Sequence, residues 1–113
     1  MIQPARGEVV FIEFDPVRGH EQGGKRPALV VSSDAVNRST AGLITVVPMT
    51  TKARPLRSYV RVDPPEGGLS QVSYAICHQI RTVAVDRILR VTGPLSEGTL
   101  SEVEDRLRIL LEL

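Results

Sequence analysis

His20, Glu21, Lys25 and Arg26 stand close together in one glycine-containing stretch of the chain, GHEQGGKRPALVVS, residues 19–32. An imidazole, a carboxylate and two cations are groups that move protons or hold anions. Gly23 and Gly24 give the backbone freedom to reach positive φ or to approach a ligand closely. Pro27 lacks an N–H for a sheet ladder and so suits the first residue of a strand. Arg26 is therefore expected where a polar loop, Gly19 to Lys25, turns into a rigid apolar run, Ala28 to Val31. Function concentrates in loops held by rigid scaffolds. Residue types alone nevertheless fit an ordinary charged hairpin loop better than a site.

Several chemistries find no support elsewhere in the chain. Neither a phosphate-binding P-loop nor a dinucleotide fingerprint is present. His20 and His78 are far apart in sequence and lack the spacing of zinc ligands, so no metal is expected. Cys77 is the single cysteine. It lies in an apolar run, where an inert buried thiol is expected and not a nucleophile. Arginines, hydroxyls and scattered carboxylates remain, a set suited to phosphoryl chemistry without metal or cofactor. When an RNA 2′-OH attacks the adjacent phosphorus, negative charge builds on the non-bridging oxygens. A positioned guanidinium stabilises that charge through paired hydrogen bonds, and a Thr hydroxyl adds another donor.

A chain of 113 residues is expected to form one domain, residues 1–113, with a modest core. No stretch approaches the ~18 apolar residues of a membrane span and no basic-then-apolar leader is visible, so a cytoplasmic location is the default. The net charge of +1 conceals an asymmetry. Glu97, Glu102, Glu104, Asp105 and Glu112 outnumber Arg106 and Arg108 at the C-terminal end, which leaves the rest of the chain basic. Arg18, Lys25 and Arg26 gather in one loop and Lys52, Arg54 and Arg57 in another. Such a patch can engage a phosphate backbone, although dispersed surface charge gives the same composition.

The elements that must carry these groups are mostly short strands. Glu8 to Phe14 reads as a central strand, apolar on both faces and ended by Asp15-Pro16. Ala28 to Ser32 reads as the second, followed by a short helical turn capped by Ser33 and closed by Gly42. Leu43 to Val47 is a third, expected to stop at Pro48. Ser58 to Val62 alternates, with Val60 and Val62 on one face. Pro64 to Gly68 is a turn. Ser73 to Ile80 alternates again and places His78 with Tyr74, Ile76 and Ile80 as a partly buried structural histidine. A last strand is expected near Ile88–Thr92. Leu100, Val103, Leu107, Leu110 and Leu111 recur at helical spacing near the C-terminus. Thr99 with Glu102, or Ser101 with Glu104, is the expected capping box. Five or six strands closed by one amphipathic helix predict a mainly β fold, a small, partly open barrel.

Four pieces of the sequence, in order, resemble the MazF/PemK family of toxin–antitoxin endoribonucleases. They are Arg6-Gly7-Glu8 with Asp15-Pro16-Val17, then Gly19 through Ser32, then Val46 through Thr50, then Ser73 through Thr82. The resemblance runs from about Arg6 to the C-terminus. It implies an SH3-like, partly open barrel with a C-terminal helix, a homodimer and a cognate antitoxin. It also implies metal-independent cleavage of single-stranded RNA to 2′,3′-cyclic phosphate and 5′-OH ends, with no cofactor. Residue by residue, it places the catalytic arginine at Arg26, the catalytic threonine at Thr50 and an acidic site residue at Glu21. His20, Gln22, Lys25, Lys52, Arg54, Gln79 and Arg81 are the expected substrate-binding set. Arginine titrates above about 12 and is a poor proton carrier. Arg26 is therefore assigned to phosphate binding and Thr50 to orientation, with proton transfer open among Glu21, His20 and Arg26. Position 78, where many relatives carry an acid, holds a histidine and is left out of the catalytic set. Two other functions suit the same barrel: a CcdB-like inhibitor that poisons DNA gyrase by binding, and a catalytically silent RNA-binding domain.

Overall fold

The computed structural model describes residues 2–113. Consecutive apolar residues in the first strands make both faces of the sheet bury side chains. β1 (Glu8–Glu13), β2 (Lys25–Val30) and β3 (Leu43–Thr50) lie side by side and antiparallel. Because successive side chains alternate across a strand, Val9, Leu29, Val47 and Met49 enter one core. Val10, Ile12, Ala28, Val30, Ile44 and Val46 enter a second core on the opposite face. β1 is central, as expected, because β7 (Ile88–Pro94) pairs with its other edge. β4 (Tyr59–Val62), β5 (Ser73–Ile76) and β6 (Arg81–Ala84) complete the sheet, with β5 and β6 both on β3. The path β4-β5-β3-β2-β1-β7 ends at β4 and β7. The mainly β architecture is the expected one, with seven strands among the described residues in place of five or six.

The first core is closed by α2 (Glu97–Leu111), which contributes Val103 fully and Leu100 and Leu107 in part. The second is closed by Val83 of β6 and Ile88 of β7. Arg6 ties the two ends of the molecule together by donating to the Val31 carbonyl and pairing with Glu104 of α2. The short helix after β2, α1 (Asp34–Asn37), is capped by Ser33 as its sequence indicates.

Pro48 does not end β3. On that edge of β3, Leu43–Val46 pair with β6 and Met49–Thr50 pair with β5. Val47 and Pro48 fall between the two pairings, so a residue without an N–H is tolerated there. Opposite them the chain leaves the strand as a short 3-10 turn, Cys77–Gln79. The alternation read through Ser73–Ile80 is broken by this turn. Cys77 stays in the core while His78 swings outward, and its Nδ1 sits 2.6 Å from Ser58 Oγ. His78 is thus an exposed histidine, not a partly buried one.

The cap of α2 also differs from expectation. Ser96, not Thr99 or Ser101, is the N-cap, and its Oγ accepts from the Thr99 amide at 3.3 Å. Glu66, from the Pro64–Gly68 turn, accepts from both the amide and the hydroxyl of Ser96 at 2.7 Å. Partial burial pushes the Glu66 carboxyl up, but the bonds from Ser96 and Thr99 more than offset this and hold it below its usual range. Ser96→Ala is expected to cost about 1 kcal/mol in urea unfolding near neutral pH. A depressed carboxylate stabilises above its unfolded pKa of about 4.3, and that contribution is lost as pH falls through the folded value. The penalty should therefore shrink in acid.

Candidate active site

Arg26 is the second residue of β2, because the strand begins at Lys25 and not at Ala28. It stands opposite Ile12 in β1, so the strand pairing fixes its backbone. Its Nε donates to the Gly23 carbonyl at 2.8 Å, and Nη1 donates to the Met49 carbonyl at 3.3 Å. One bond comes from the loop and the other from β3, which clamps the guanidinium plane between them. Nη2 has no protein partner among the described residues and remains able to donate. Burial lowers the Arg26 pKa, and the nearby Asp15 carboxylate partly opposes that shift.

Thr50 is the last residue of β3, next to the carbonyl that Arg26 grips. Its Oγ1 accepts the Lys52 amide at 3.2 Å, which leaves its own proton to donate. Two adjoining clefts share Arg26, Thr50 and Lys52. One, of about 290 Å³, adds Lys25 and the buried Ser73. The other, of about 170 Å³, adds Gln22, Arg54 and Tyr59. Among the described residues four cations and no carboxylate line the pair, an arrangement that attracts anions.

The structure thus brings Arg26, Thr50, Gln22, Lys25, Lys52 and Arg54 together. Glu21 is exposed and turned back into its own loop, where Oε1 accepts the Arg18 amide at 2.6 Å. His20 is exposed, and its carbonyl accepts from Gln79 Nε2 at 3.1 Å. Gln79 therefore tethers the loop from the 3-10 turn. Arg81 lies with its guanidinium 5.3 Å from the Phe14 ring centroid, and its Nη1 is buried without a partner among the described residues. Neither residue lines the clefts. Asp15 orders the loop from its other end, accepting the Gly24 amide at 2.9 Å. Ser73 and Tyr59 were absent from the expected set. Only the alternation around Val60, which turns Tyr59 outward, marked either one in the sequence.

Cys77 is fully buried, and desolvation pushes its thiol up to about 11. It is an inert core side chain. Among the described residues no three of His, Cys, Asp and Glu gather closely enough to hold a metal ion.

A mainly antiparallel sheet followed by a C-terminal helix is a fold shared with known proteins. Residues 5–111 match the family described as PemK-like, MazF-like toxin of type II toxin-antitoxin system. The chain is 35% identical to endoribonuclease MazF9 of Mycobacterium tuberculosis, over 96% of each chain. It is 32% identical to endoribonuclease EndoA of Bacillus subtilis, over 96% of this chain and 94% of that one. The crystal structure of MazF from Deinococcus radiodurans superposes with a TM-score of 0.86 at 32% identity, covering 100% of both chains. A MazE–MazF structure from the same organism superposes at 0.80, again at 32% identity, over 100% of this chain and 99% of that one. The chain belongs to the PemK-like, MazF-like toxin family.

Proposed function

We propose that this protein is an endoribonuclease toxin that cuts single-stranded RNA at selected sequences, without a metal, and is silenced by a cognate antitoxin. The observation that carries this reading is Arg26, clamped by two backbone carbonyls with Nη2 unpartnered among the described residues, beside the Thr50 hydroxyl in a cationic cleft. In the reaction a bond forms between the 2′-oxygen and phosphorus while the bond from phosphorus to the 5′-oxygen breaks. The 2′-OH loses a proton and the leaving 5′-oxygen gains one. Arg26 and Thr50 donate to the non-bridging oxygens as charge builds there, and Lys25, Lys52 and Arg54 hold flanking phosphates. Of Glu21, His20 and Arg26, Arg26 alone lines the clefts. The products are a 2′,3′-cyclic phosphate and a 5′-OH.

The toxin acts as a homodimer in the cytoplasm. Ile109, Leu110, Leu111 and Leu113 at the end of the chain are exposed apolar residues that a second copy would cover. No helix among the described residues is long and apolar enough to cross a membrane. Antitoxin binding and RNA cleavage exclude each other, since both need the cationic cleft; a ternary complex cutting at full rate would contradict this. The function itself is tested by incubating the purified chain with a long transcript in EDTA. Discrete fragments are expected, and their yield should fall steeply with added salt. An RNA left intact at high enzyme concentration would overturn the reading.

A further inference from the structure

Aromatic side chains are scarce in this protein: two Tyr, two Phe and no Trp. Phe14 is buried in the second core, and Phe11 is covered by the Arg90 guanidinium, 4.4 Å from its ring centroid. Among the described residues, Tyr59 is the aromatic that lines either cleft, together with Gln22, Arg26, Thr50, Lys52 and Arg54. Its direction follows from strand alternation. Val60 and Val62 are buried in the first core, which turns Tyr59 and Arg61 of the same strand outward. The ring is also supported from the side. His78 packs with its centroid 6.0 Å away at an interplanar angle of 35°, and Ser58 holds His78 through Nδ1 at 2.6 Å.

An outward-facing, half-exposed aromatic beside a guanidinium and two further cations has an obvious partner. Phosphates engage the cations, and a base adjoining them is then close to a π-face. Stacking of bases on aromatic side chains tolerates any base, whereas identity is read by hydrogen bonds to the base edges. We propose that Tyr59 is the platform on which a base next to the scissile phosphate stacks. Gln22, whose amide both donates and accepts, reads the edge of that base from the same cleft. This assignment rests on the ribonuclease reading and adds a subsite to it.

Stacking is made in the ground state and kept in the transition state, so its loss raises KM and leaves kcat nearly unchanged. The test uses a short RNA spanning a mapped cleavage site, with 2′-deoxyribose at the cleaved nucleotide to block reaction. Tyr59→Ala and Tyr59→Leu are each expected to weaken its binding about 5- to 150-fold, while Tyr59→Phe binds like the wild type. The Leu variant retains apolar bulk and guards against a folding defect. Replacing the flanking nucleotide by an abasic one should erase the difference between Tyr59→Ala and wild type. In a Tyr74→Phe background Tyr59 is the sole tyrosine, and the RNA should quench its fluorescence. Unchanged binding by Tyr59→Ala, or a penalty that persists on the abasic RNA, overturns the stacking assignment while leaving the nuclease intact. A wild-type chain that cuts no RNA overturns the underlying reading instead.

Discussion

Arg26→Ala is expected to slow RNA cleavage by about 10²- to 10³-fold in single-turnover assays, with the fold retained. A donor fixed in advance on a transition-state oxyanion contributes on that scale. The side chain is held by Gly23 and Met49 carbonyls, so its free N–H groups reach the phosphate without reorganising. The stability cost is small by comparison. Charge-assisted bonds to backbone carbonyls contribute roughly 1.5–3 kcal/mol each, and at a half-exposed position water replaces much of that. Arg26→Lys keeps a charge but not the planar fork, and should recover only a fraction of the lost rate. Cleavage by Arg26→Ala within tenfold of wild type would remove this residue from the chemistry.

Gly68→Ala should be the most damaging single methyl in the chain. At φ +71 an L side chain is strained by roughly 1–2 kcal/mol. Space is the larger problem, because a Cβ there would lie 2.2 Å from the Thr92 carbonyl oxygen. That oxygen is backbone of β7, so the turn and the strand must part. Parting them disturbs Thr92 Oγ1, whose one proton is shared between the Gly67 and Val9 carbonyls, 2.7 and 3.0 Å away. It also disturbs Glu66, which anchors Ser96 at the start of α2. A loss of about 3–5 kcal/mol is expected, a large share of a typical domain's stability. Gly24→Ala is the control: its φ of +73 imposes the same strain, but nothing lies within 4 Å of the added methyl. Urea midpoints for the two variants should separate clearly, and equal midpoints would show that the clash is relieved without cost.

Most of the fold was legible because local patterns there agree with tertiary demands. The alternation of Val60 and Val62, the double-sided apolar run at Val9–Ile12 and the stripe Leu100–Val103–Leu107 all state which faces are buried. The misreadings share one physical origin, since each depends on a partner distant in sequence. Pro48 reads as a strand terminator unless one knows that β5 and β6 leave a gap opposite it. His78 reads as inward only if the strand continues through Cys77–Gln79. Ser96 becomes the cap because Glu66, thirty residues earlier, holds it in place. The same holds for the site. Arg26 and Lys25 stood out by their loop, and Thr50 by resemblance. That Glu21 turns toward Arg18 while Tyr59 turns toward Arg26 depends on how the loop and β4 meet in space.

The chemistry of the fragment ends separates internal transesterification from metal-assisted hydrolysis. A long RNA is cut in EDTA, and the fragments are treated with polynucleotide kinase and labelled ATP without prior phosphatase. Internal transesterification at Arg26 and Thr50 predicts 5′-OH ends that accept label at once, paired with 2′,3′-cyclic phosphates at the other ends. Fragments bearing 5′-phosphates, or cleavage that vanishes in EDTA, would contradict it.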